Sequence, residues 1–210
     1  MSTELLADAR RLADVVSSMG ILASRRPRRP RLNHIGALLC DAVLQSGLNY
    51  RTVVSPRVLR VVQLFPQAAD LPEFSAVLLR YGAHYVLMWK HHEKPRRLLE
   101  IVGLLEAESI KTVLELGSWM DNESNRSRLL DVRGVGPKTI DYMAMLAGAD
   151  GVAIDRHIEA FLSAVGIAHR DYAQARRIVC FSADLLGVRR ASLDQAIWET
   201  CSLRERKRRP

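Results

Sequence analysis

The sequence predicts an all-α protein, and three features of it carry that prediction. Apolar residues recur at three- and four-residue intervals along most of the chain, the period of a buried helix face. No stretch alternates apolar and polar residues as a half-buried strand would. Short breaks, such as Gly20, Phe65-Pro66, Gly82 and Gly148, separate the periodic segments, leaving about ten helices with short connections.

Residues 4–19 place Leu5, Leu6, Leu12, Val15, Val16 and Met19 on one side of an amphipathic helix, ended by Gly20. From Asn33 the run IGALLCDAVLQSG is almost wholly apolar, which predicts a helix buried on all sides. A loop, Leu48-Asn49-Tyr50-Arg51, follows. Thr52 to Leu64 is read as the next helix, with Pro56 in its first turn, and Leu71 to Arg80 as a short one. Residues 83–102 form one long helical stretch, jogged at Pro95. Ala107–Leu116 and Glu123–Leu130 are shorter, and a helix to about Ala147 follows the turn at Gly134-Val135-Gly136. Val152-Ala153-Ile154 is the one extended piece. Ile154–Val165, Asp171–Leu186 and Ser192–Leu203 complete the set.

With 48% hydrophobic residues in 210, the chain holds enough apolar surface for a folded core, and no internal repeat is present. No run of about 18 apolar residues occurs, which excludes a membrane-spanning helix. The N-terminus opens on an acidic amphipathic segment unlike a signal peptide, which predicts a cytoplasmic protein. Cys40, Cys180 and Cys201 are too far apart for a paired metal or disulfide spacing, and are read as inert thiols. His84, His91 and His92 lack the i, i+4 spacing of a metal pair.

The net charge of +8 is concentrated at two places. Residues 25–31 carry +5 and residues 204–209 carry +4, which leaves the rest of the chain at −1. Basic arms on a neutral body suit a polyanion such as DNA, or are simply solvated tails.

Arg133-Gly134-Val135-Gly136-Pro137-Lys138-Thr139 reads as two helices joined by a tight turn. Gly134 suits the left-handed position that ends a helix, and Pro137 suits the first turn of the next. The glycines expose backbone N–H groups beside a helix N-terminus, a concavity that binds phosphate. Lys138 lies in that first turn, where the helix dipole disfavours its charge and so favours the free amine a nucleophile needs, or it is a surface lysine that meets a phosphate or only water. Asp155 follows seventeen residues later. The intervening helix is about 16 Å long, and the seven residues that follow it span up to about 23 Å, so the chain is able to return to Lys138. Asp155 is also placed to cap the next helix.

Gly134-Val135-Gly136-Pro137-Lys138-Thr139, with Ile154-Asp155-Arg156-His157 beyond it, resembles the helix-hairpin-helix DNA glycosylase superfamily, to which endonuclease III belongs. The likeness to endonuclease III runs along most of the chain. It implies a two-lobed helical fold with a DNA-binding cleft between the lobes: residues 33–150 in one, residues 1–32 and 151–210 in the other. By the resemblance, Lys138 is the lysine of members with lyase activity and Asp155 the catalytic aspartate. Gly134 and Gly136 hold a DNA phosphate through backbone N–H groups, with Arg133, Val135 and Thr139 beside them. Asn49, with Tyr50 and Arg51, lies in the loop that fills the gap left by a flipped base.

The sequence departs from endonuclease III at Arg133, where proline is usual, and in the cysteines. The iron–sulfur cluster needs four closely spaced cysteines, and only Cys180 and Cys201 lie in that region, so no cofactor is expected. The function so implied is a monomeric DNA glycosylase with AP lyase activity in base excision repair. Its partner is double-stranded DNA carrying a damaged or mismatched base or an abasic site. A glycosylase without lyase activity and a non-catalytic DNA-binding protein fit the same residues.

Overall fold

The computed structural model describes residues 3–23 and 33–208, with side chains described as far as residue 202. It is all-α, with no strand among the described residues. The basic segment 25–31 lies outside the described residues. Most of the other expected arm, residues 204–208, is the end of the last helix. Among the described residues, no helix is long and apolar enough to cross a membrane.

The chain divides into two compact units, residues 30–149 and residues 1–29 with 150–210. The first is built around α2 (Ile35–Leu44), all of whose residues are buried. Seven apolar side chains, together with Gly36 and Cys40, leave the helix no polar face except Asp41. Around it pack α3 (Ser55–Leu64), α4 (Leu71–Tyr81), α6 (Glu93–Ala107) and α9 (Pro137–Ala147). The short α5 (Ala83–Leu87), α7 (Val113–Met120) and α8 (Glu123–Arg128) complete the unit. Gly36 sets how closely α2 and α4 approach. A Cβ there would lie 2.4 Å from Cδ2 of the buried Phe74, far inside van der Waals contact. The N-cap of α2 is His34, whose Nδ1 accepts from the Ala37 N–H at 3.1 Å while its Nε2–H donates to the Phe65 carbonyl at 2.9 Å.

In the other unit α1 (Thr3–Ser18) packs along α11 (Tyr172–Leu185), and α10 (Arg156–Ala164) along α12 (Arg190–Arg208). Leu12, Val16, Phe161, Leu162 and Ile178 lie in their shared core. The Ser182 hydroxyl on α11 lies 2.9 Å from the Ala9 carbonyl and 2.7 Å from that of Ile178.

Three expected boundaries move. The 83–102 helix is two helices, because Met88 takes the left-handed conformation (φ 47°) and closes α5. The apolar positions of α5 and α6 stay in helical phase across the gap, so periodicity alone reads them as one. Pro95 sits in the first turn of α6, where a missing N–H costs nothing. Consequently His84 is on α5 while His91 and His92 precede α6. The helix expected from Thr52 starts at Ser55, after a π-type turn over Tyr50–Val54. The helix expected over Ala107–Leu116 is displaced: α6 runs to Ala107, and α7 begins at Val113 behind a capping box in which Thr112 Oγ1 accepts from Glu115 N–H and Glu115 accepts from Thr112 N–H.

Candidate active site

The hairpin turn begins where a 3-10 turn over Leu129–Asp131 follows α8. Val135 N–H donates to the Val132 carbonyl at 2.9 Å, which folds the chain back on itself. Gly134 takes φ +85°, a left-handed geometry that strains any residue with a Cβ. Gly136 is the extended N-cap of α9 and accepts from the Thr139 and Ile140 N–H groups at 2.9 and 3.2 Å, with Pro137 opening the helix. Val135 and Thr139 are buried and anchor the turn. Gly134, Arg133 and Pro137 are exposed, and Lys138 is half-buried. Among the described residues, the N–H groups of Gly134, Gly136 and Lys138 meet no protein acceptor. Such a turn, ahead of a helix dipole, has the electrostatics of an anion site.

Two cations that sequence reasoning passed over stand against this turn. Arg97 on α6 donates from Nε to the Arg133 carbonyl at 3.2 Å, and its guanidinium occupies the space that a Cβ on Gly134 would enter. Burial lowers its pKa below the ordinary arginine value. Lys94, one turn earlier, is buried. Its ammonium donates to the carbonyls of Val43 and Ser46, both at 3.0 Å, and of Leu44 at 3.4 Å, closing the C-terminal end of α2. It also lies 5.7 Å from the centre of the Trp89 ring. Burial, then the nearby positive charges of Arg97 and Lys138, bring its pKa down from 10.5 to about 8. Glu93-Lys94-Pro95-Arg96-Arg97 looks like an ordinary charged first turn, and nothing in its spacing marks two of its cations as facing inward.

The loop after α2 is tied to the same region. Asn49 is exposed, and its Oδ1 caps the following turn by accepting from Thr52 N–H at 3.1 Å. Tyr50 turns inward, its hydroxyl donating to Asp41 Oδ2 at 3.1 Å, while Arg51 is exposed. The Tyr142 hydroxyl on α9 donates to the other oxygen of Asp41 at 3.0 Å. One buried carboxylate thus joins the loop to the hairpin's second helix. The signal in the sequence was Asp41 itself, the lone acid in an otherwise apolar helix. Nearby, Asp141 is buried against Arg126 at 3.2 Å.

Asp155 lies in the other unit. It is the N-cap of α10, its Oδ1 accepting from His157 and Ile158 N–H at 2.9 and 3.0 Å. The extended segment leading to it is buried from Gly151 to Ile154. That segment is fixed to α12 by Asp150, which accepts from Arg190 and Ala191 N–H, and by Asp194, which accepts from Ala153 N–H at 2.9 Å. His157 is buried with Trp198 packed edge-on at 6.0 Å. Lys138 and Asp155 are therefore each held in defined local geometry, one in each unit.

Burial raises the pKa of the Cys40 thiol well above the ordinary range, so it stays protonated and inert. Cys180 is also buried, and Cys201 is half-buried. Among the described residues, no group of three His, Cys, Asp or Glu side chains is placed to hold a metal ion.

No curated protein and no solved structure matches the chain. One family does match, over residues 93–202, a span that runs from the start of α6 into α12 and contains both Lys138 and Asp155. That span is just over half of the chain, and the protein belongs to this family, described as a domain of unknown function (DUF8548).

Proposed function

We propose that the protein is a DNA glycosylase with an accompanying AP lyase activity, acting on duplex DNA that carries a damaged base. The observation that supports it best is the Gly134–Lys138 turn, in which the N–H groups of Gly134, Gly136 and the half-buried Lys138 itself, at the start of α9, meet no protein acceptor among the described residues. Arg97 and Arg133 beside it supply further phosphate contacts. The finer architecture implied by the resemblance, two lobes with a DNA-binding cleft, belongs to this proposal.

In this reading the damaged nucleotide is extruded from the helix at a cost of a few kcal/mol, less for a mispaired or damaged base, which contributes to selectivity. Asp155 stabilises the positive charge that develops on the sugar as the C1′–N bond breaks and the base departs with a proton. Lys138 attacks C1′ as the free amine, and the sugar ring opens to give a Schiff base. Loss of a C2′ proton then expels the 3′ phosphate and nicks the strand, and water releases the lysine. Asn49 and Arg51, both exposed after α2, are the residues that meet the gap left in the duplex.

The experiment is a screen of the recombinant protein against duplexes carrying oxidised, deaminated and alkylated bases, scoring base release and strand cleavage separately. Release with cleavage on at least one duplex is the expected result, and Asp155→Asn removes it. Base release without cleavage would assign Lys138 to phosphate binding alone. Salt-sensitive binding with no product on any duplex would leave a non-catalytic DNA-binding protein.

A further inference from the structure

The 30–149 unit carries a second feature suited to nucleic acid, on elements other than the hairpin. Tyr81, at the end of α4, and Tyr85, on α5, stack on one another with ring centres 5.7 Å apart and planes 24° from parallel. Both remain in water, 43% and 50% exposed. Tyr81 also leans on the buried Phe65 at 5.3 Å, so the pair is anchored at its base. The Arg60 guanidinium lies 4.7 Å from the centre of the Tyr85 ring, and the Arg80 guanidinium 5.3 Å from that of Tyr81. Arg60 is fixed by donating from Nη1 to the Tyr85 carbonyl at 3.3 Å, and Arg57 by donating to Val53 and Met88 carbonyls at 2.8 and 3.4 Å. A guanidinium has five N–H donors, so donors remain on both.

The two segments that carry the column are basic, with Glu106 the acid that lines the hollow beside Gly82 and Ala83. Residues 50–69 and 74–92 hold five Lys and Arg side chains and no Asp or Glu. The tyrosine stack and the two cation–π contacts contribute only about 0.5–1.5 kcal/mol each, and both rings still leave much of their surface in water. A polyanion carrying planar rings uses both parts: phosphates meet the guanidinium N–H groups, and unstacked bases continue the column by stacking on the guanidinium planes that lie over the tyrosine rings. In duplex DNA the base faces are covered by their neighbours, so the tyrosines distinguish an unpaired strand from a paired one.

We propose that Tyr81, Tyr85, Arg60 and Arg80 form a binding site for single-stranded nucleic acid, separate from the Gly134–Gly136 turn. The site stands on its own contacts and does not depend on the glycosylase reading.

The test is fluorescence anisotropy of the full-length protein with a labelled oligo-dT of roughly a dozen nucleotides, beside a blunt duplex of mixed sequence and vesicles of phosphatidylcholine and phosphatidylserine. The wild type binds the oligo-dT. Tyr81→Ala/Tyr85→Ala weakens that binding by on the order of tenfold or more and changes duplex binding less than twofold. Tyr81→Phe/Tyr85→Phe, which keeps the stacked rings, retains it. Arg60→Gln lowers the slope of log affinity against log salt by about 0.7. No binding of oligo-dT, equal loss on duplex and single strand, weakening by the phenylalanine pair as large as by the alanine pair, or a loss confined to the anionic vesicles overturns the proposal.

Discussion

The phenolic hydroxyl of Tyr142, one helical turn beyond Lys138, donates to the buried carboxylate of Asp41 at 3.0 Å. Asp41 also receives Tyr50, so a single acid in the most buried helix fixes the loop after α2 and the helix that carries the candidate nucleophile. Removing one partner of a buried hydrogen bond costs about 1–3 kcal/mol. Tyr142→Phe and Tyr50→Phe should each lower the unfolding free energy by about that amount, measured by urea titration. Because the two phenols share an acceptor, the double variant should depart from additivity by about 0.5 kcal/mol or more. Strict additivity would show that Asp41 does not couple them.

Lys94 gives the protein a pH dependence of stability. Folding holds its pKa near 8, against 10.5 for the free side chain, because burial and the charges of Arg97 and Lys138 disfavour the ammonium. Between those values the unfolded chain binds more protons than the folded one, so this residue's contribution to stability rises with pH through that window. The unfolding free energy of the wild type, relative to Lys94→Met, should rise by on the order of 1–3 kcal/mol between pH 8 and 10.5. Below pH 8 the difference should be flat. A difference that falls with pH would contradict the assignment.

Gly134→Ala places a side chain where φ is +85° and where the Arg97 guanidinium already lies. Arginine is flexible and is able to move, so the backbone strain of about 1–2 kcal/mol dominates the stability loss. Displacing Arg97 from the turn should weaken duplex DNA binding in the same direction as Arg97→Gln and by no more, as read by electrophoretic mobility shift.

Gly36→Ala drives a methyl group into the Phe74 ring. Overpacking between two buried helices costs about 1–3 kcal/mol. Phe74→Leu on its own opens space and also destabilises, but the two together should recover part of the loss. Thermal unfolding of the four proteins measures this directly.

The helical class and the turn that opens α9 were legible in the sequence because they are local properties. Gly134 had to take a positive φ for the chain to turn there, and Pro137 had to open the next helix. Asp155 as an N-cap followed from its place before an apolar-periodic run. What stayed hidden depends on distant packing. The break at Met88 interrupts no hydrophobic phase, so periodicity ran straight through it. Lys94 and Arg97 look like the outer face of a helix until α2 and the hairpin are set against them. Tyr50 was grouped with Asn49 and Arg51 as a loop residue, and only the position of Asp41 shows that it turns inward. The tyrosine column likewise joins Tyr81 and Tyr85 across the Gly82 break, where no helical spacing applies.

The central claim is that Lys138 is a nucleophile toward C1′, and borohydride trapping on a duplex with a single abasic site tests it most directly. The wild type should form a covalent protein–DNA complex that survives denaturing electrophoresis, and Lys138→Gln should form none. A wild type that never traps, or a Lys138→Gln variant that traps as well as the wild type, would contradict it.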